Sequence, residues 1–262
     1  MCCKGWAMGL LLGGWFAWHT AAQNDLPLVR VWAPEPVLPA TFNAEKYRRS
    51  GSFFYVQLQQ VLNQRGFSSV LGYEQRLSPH WFAGASIIPA VNNNANLLAY
   101  SFNLSHTGRF NGWQLLKQAT YTLQSEMVRQ VGSATRRNYY SAIGFTFGLA
   151  RNFSIGVHSS LRAVWSYQAV VFPSNSLYPR TIDQTRMQVE CAWFPRPHYS
   201  IGLFAAQNTS YFIALAQFDA NGNMTKPDRR LNLNTGFIGL RLHLLLDWLS
   251  VENREQARML LY

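Results

Sequence analysis

From residue 52 onward, apolar side chains alternate with small or polar ones at a period of two. The clearest stretch places Tyr139, Ile143, Phe145, Phe147 and Leu149 on one face and Tyr140, Ala142, Gly144, Thr146 and Gly148 on the other. Such a period puts successive side chains on opposite faces of a strand. The same alternation runs through Leu98-Tyr100-Phe102-Leu104 against Ala99-Ser101-Asn103-Ser105, and through Met187-Val189-Cys191-Trp193 against Arg186-Gln188-Glu190-Ala192. After a tight connection read at Arg151-Asn152, Phe153, Ile155, Val157, Leu161, Ala163 and Trp165 share a face opposite Ser154, Gly156, His158, Ser160 and Arg162, which predicts a hairpin.

Further strands are predicted at 52–63, 67–77, 81–90, 113–125, 199–207, 209–218 and 231–246, with a weaker one at 167–172. The total is about 12 strands, within a range of about 10 to 14. Their lengths suit a tilted strand crossing hydrocarbon, which takes roughly 9 to 11 residues. Connections at 76–80, 151–152 and 195–198 read as short, and those at 91–96, 127–137, 173–184 and 219–230 as longer and polar. Short turns belong on the periplasmic side and long loops outside. Trp81, Trp113, Tyr139, Trp165, Trp193 and Tyr199 fall near strand ends, as an interfacial aromatic girdle requires.

A soluble β-sandwich or lipocalin-like barrel would alternate too, but its polar face would be rich in charge. Here that face is mostly Gly, Ala, Ser, Asn and Gln, and the whole chain is 13% charged, 15% aromatic and 48% hydrophobic. After residue 23 no apolar run is long enough to cross a membrane as a helix. The expected fold class is therefore all-β, an antiparallel transmembrane β-barrel that crosses the outer membrane many times.

The flanks read differently. Residues 1–22 predict a cleaved signal peptide: Lys4, an apolar stretch from Gly5 to Trp18, and Thr20-Ala21-Ala22 as the small-residue site. The predicted organisation continues with a proline-rich arm over 23–50 (Pro27, Pro34, Pro36, Pro39), the barrel over 51–246, and a tail or short amphipathic helix over 247–262. The tail's alternative is an aromatic-ended assembly signal at Met259-Leu260-Leu261-Tyr262. Beyond the signal only Cys191 remains, so no intrachain disulfide is possible.

The formal net charge of +11 does not make a nucleic-acid surface, because Arg65, Arg76, Arg109, Arg151, Arg162, Arg186 and Arg241 are scattered. Outer-membrane lipid is the expected partner, through anionic headgroups. No histidine or cysteine spacing suits a metal, and no phosphate loop is present, so no cofactor is expected. His158 and Ser160 share one strand face but lack an orienting partner in sequence, and Glu126, Asp183, Glu190 and Asp219 are isolated, so an enzyme is not expected. His158, Ser160, Arg162, Arg186, Gln188, Glu190 and Arg241 read as polar residues facing the lumen.

The layout resembles the PorP/SprF family of Bacteroidota type IX secretion. The features that carry it are the signal ending before Gln23, the Leu38-Pro39-Ala40-Thr41-Phe42 element, and the aromatic strand ending Tyr55-Val56-Gln57-Leu58-Gln59-Gln60. The family's usual Asn-Pro-Ala is Leu38-Pro39-Ala40 here, and Val31-Trp32-Ala33-Pro34 replaces its tyrosine-rich start. The resemblance implies a non-enzymatic component that helps export or retain cell-surface proteins, with protein partners in a secretion complex. The residues by themselves also allow a passive outer-membrane pore for small solutes, anionic ones included, as suggested by Arg162, Arg186 and Arg241.

Overall fold

Alternating strands with one greasy face need a partner for every backbone group, and in a membrane only a closed ring supplies one. The structure, a computed structural model, describes residues 28–246 apart from 49, 65, 93–94, 129–135, 156–158, 174–181, 197 and 220–221. The predicted signal, the 247–262 tail and His158 therefore lie outside the described residues.

The strands are β1 (Leu28–Trp32), β2 (Pro39–Tyr47), β3 (Phe53–Val61), β4 (Gly66–Arg76) and β5 (Trp81–Asn92). There follow β6 (Ala95–Phe110), β7 (Trp113–Val128), β8 (Arg136–Ser154), β9 (Ser160–Val171) and β10 (Gln184–Arg196). Last come β11 (Tyr199–Ala214), β12 (Gln217–Phe218), β13 (Met224–Lys226) and β14 (Arg229–Leu245). Each strand from β2 to β11 pairs antiparallel with the next, β11 pairs with β14, and β14 returns to β2. The closed ring thus holds 11 strands, and β1 lies alongside β14 as an extra one. The small β12–β13 hairpin stands apart.

An odd ring cannot alternate all the way round, so β14 meets β2 in parallel, from Leu240 opposite Ala40 to Leu245 opposite Glu45. β1 pairs parallel with the earlier part of β14, Leu28 with Arg230 through Trp32 with Asn234, and Val37 bridges Phe237 between the two stretches. Following the register once round displaces it by about 14 residues, which for this ring gives a strand tilt of about 44° and a Cα radius of about 11 Å. Even β2 and β3, at 9 residues each, have the length a tilted spanning strand needs.

The burial pattern is inverted relative to a soluble protein. Leu203 is 65% exposed and Ile238 58% on the outer wall, while Glu45 is 0% and Arg162 1% exposed inside. Outward apolar side chains facing lipid and polar ones facing a lumen define a transmembrane barrel. Trp81, Trp113, Trp193 and Tyr199 flank the short-turn end of this belt, as predicted. Among the described residues no helix is long and apolar enough to cross a membrane.

Several boundaries differ from the sequence reading. The proline-rich arm over 23–50 contains β1 and β2, and β2 is a full member of the ring. Its prolines divide a strand rather than forbid one. Pro34 and Pro36 fall in the gap, and Pro39 opens β2, where a missing donor is tolerated. Arg151 and Asn152 lie within β8, which runs to Ser154 before β9 opens at Ser160, and the Ile155 N–H donates to the Ser159 carbonyl at 3.1 Å. Arg151 stays in the strand, where its guanidinium stacks 5.5 Å from the Trp113 and Phe153 rings. In consequence β9 begins later and runs on through 167–171, so Trp165 sits in mid-strand against Phe147 rather than at an edge. Asn208, read as a break, is paired with Arg186 and Thr235, which makes one strand of 199–214. The predicted loop at 91–96 is replaced by pairing as far as Asn92 with Ala95.

Candidate functional site

The lumen is where the polar faces converge, and its two ends are built differently. At the short-turn end, Tyr47 closes β2, Phe53 opens β3, Phe82 is the second residue of β5, and Leu245 closes β14. With Leu116, Ala150 and Val164 these form a buried cluster inside the ring. Phe53 is 0% exposed and Leu116 1%, so the base of the lumen is filled by side chains.

Interleaved with this floor and rising above it are buried charges. Arg241 Nη1 donates to Glu190 Oε2 at 2.6 Å, and Gln188 Nε2 donates to the same oxygen at 3.3 Å. Arg186 Nη2 donates to Gln188 Oε1 at 2.9 Å, which continues the chain up β10. Arg162 Nη2 donates to Gln114 Oε1 at 3.0 Å and lies within electrostatic reach of Glu190, as does His243. Glu45 is bonded by His243 and by the Tyr47 hydroxyl, and Asn103 Nδ2 donates to Glu74 Oε1 at 2.7 Å. In a low-dielectric interior such charges persist only with close partners.

Glycines opposite the bulky groups give them room. A Cβ on Gly84 would lie 2.3 Å from Glu74 Oε1, one on Gly202 2.9 Å from Glu190 Oε1, and one on Gly239 2.5 Å from the Phe204 ring. That ring in turn carries the Arg241 guanidinium at 5.2 Å. Small residues across from large ones are how a narrow barrel fills its interior.

Towards the long-loop end the lining changes to half-buried neutral groups, among them Gln57, Gln59, Gln118, Gln124 and Gln168. There the lumen holds a cavity of about 550 Å³ whose polar lining comes from Gln124, Glu126, Tyr140, Asp183, Gln184 and Ser210, with Phe172, Tyr211 and Phe212 completing its wall.

Of the residues predicted to face the lumen, Arg162, Gln188, Glu190 and Arg241 are buried in the lower charge layer and Arg186 is half-buried above it. Ser160 opens β9 at the short-turn end, half-buried, away from that layer's hydrogen bonds, and His158 lies outside the described residues. The sequence reading missed Glu45, Glu74 and His243. Glu45 was detectable, since Thr41, Asn43, Glu45 and Tyr47 alternate with Phe42, Ala44 and Lys46. The three arginines do not make a simply positive lumen, because Glu45, Glu74 and Glu190 share it. Among the described residues no group of three or more His, Cys, Asp or Glu side chains could hold a metal.

Fold and lumen together define a closed transmembrane β-barrel whose interior is filled by side chains at the short-turn end and, among the described residues, holds a cavity at the long-loop end. No known family and no curated protein matches this chain. Among solved structures, the NanC porin in a rhombohedral crystal form is similar at 9% identity and a TM-score of 0.42, over 79% of this chain and 98% of that one. The barrel itself is established by the ring of strand pairs.

Proposed function

We propose that the protein resides in the outer membrane as a narrow channel for small polar solutes, entered from the outside and closed at rest on the periplasmic side. The observation that carries this reading is the lumen: one polar-lined interior inside a complete ring, with a cavity at the long-loop end and side chains packed across it towards the short-turn end. Long loops face the exterior in such barrels, which supports an outward orientation of the cavity end. Side chains that fill the interior of a narrow barrel obstruct the passage of ions.

The test is planar-bilayer recording of the purified full chain. The wild type should show low, infrequent current, and Phe82→Ala combined with Leu116→Ala should raise it several-fold by removing two of the large side chains of the floor. Current that stays at background in both proteins would overturn the channel reading. The secretion role implied by the family resemblance rests on the motifs quoted above, and nothing in the lumen adds to it.

A further inference from the structure

We infer that the mouth of the lumen is a binding site for a neutral saccharide. The cavity there, about 550 Å³, falls within the roughly 300–1,000 Å³ of small-molecule sites. Its polar lining is dominated by groups that both donate and accept: the Gln124 and Gln184 amides and the Ser210 hydroxyl. A sugar hydroxyl also does both, so each can pair with these groups without charge. Tyr140 and Phe172 supply rings against which the C–H face of a pyranose can lie.

Charged solutes fit less well. The carboxyl groups on the wall, Glu126 and Asp183, disfavour an anion. Asp183 is buried and already accepts the Phe172 N–H at 2.7 Å on Oδ2, so it has little to offer a cation. Glu126 accepts the Tyr140 hydroxyl at 3.4 Å. Two residues below Gln184 on the same face, about 7 Å down the strand, stands Arg186, which repels a cation moving inward. Below the mouth the lining continues through Gln168, Gln59 and Gln57. A neutral polyhydroxylated molecule meets hydrogen-bonding partners at each step and no net repulsion.

Passage of the sugar rests on the channel reading, but binding at the mouth does not, and the two are measured separately. Titration calorimetry on the full chain, held in a detergent without a sugar headgroup, would use maltotriose, choline chloride and sodium glutamate as probes. Maltotriose should bind, Tyr140→Ala and Gln184→Ala should each weaken it by about tenfold, and the two charged probes should give no heat. Unchanged heat-modifiable migration on gels would show that both variants still fold. No maltotriose binding by the wild type, equal binding by both variants, or tighter binding of either charged probe would overturn the assignment. Maltotriose binding by a protein that passes no current would instead retain the site and remove the channel.

Discussion

The two ends of the lumen use one strand pattern for opposite purposes. At the short-turn end the inward positions hold Phe53, Phe82, Leu116 and paired charges, whose buried side chains fill the lumen. At the long-loop end the same inward positions hold amides and hydroxyls that remain half-buried, with hydrogen-bonding capacity still directed at the lumen. The register is continuous between them, so the difference lies wholly in side-chain choice. Closure of the base is therefore a property that substitution can remove without dismantling the ring.

The largest effect should come from breaking the buried pair. Arg241→Ala leaves Glu190 without its 2.6 Å partner where the side chains are 8% and 1% exposed, and should cost about 3–5 kcal/mol in urea unfolding from lipid vesicles. Glu190→Gln with Arg241→Met should recover most of that loss. An unchanged midpoint for Arg241→Ala would mean that water reaches the floor, and the contrast between the ends would fail.

A smaller difference should separate two inward glycines. Gly84→Ala drives a Cβ to within 2.3 Å of the Glu74 carboxylate and should cost about 1–3 kcal/mol. At Gly144 an added methyl would stand 3.7 Å from its nearest neighbours, so alanine should be accepted there within about 0.5 kcal/mol. Equal losses at both sites would indicate that the lumen is as crowded above as below. The smallest effect belongs to Gln59→Ala near the mouth, expected within about 0.5 kcal/mol by the same unfolding measurement.

Much of the wall was legible because lipid on one side and water or polar contacts on the other enforce a strict alternation. Phe145 and Phe147 point out and Thr146 points in just as the pattern requires. The strand ends were less legible, for Asn and Pro mark turns only when the ladder does not need them. Asn152 is held in its strand by Arg162 on the next strand, and Asn208 by Arg186 and Thr235 on the strands either side. The charge layer was legible only in part. Arg162, Glu190 and Arg241 could be placed on a polar face, but the meeting of Glu45 with His243 joins the second strand to the last and depends on how the ring closes.

That closure has a consequence for the path of the chain. An even-stranded barrel brings its last strand back to the side on which its first began, so a short linker could join them and a new break could be opened in any hairpin. Here β2 and β14 run the same way, and the start of one and the end of the other lie at opposite rims. A linker joining them would have to traverse the full height of the barrel. Circular permutation of this ring therefore demands a linker as long as the barrel is tall, and the order of its strands is tied to a single seam.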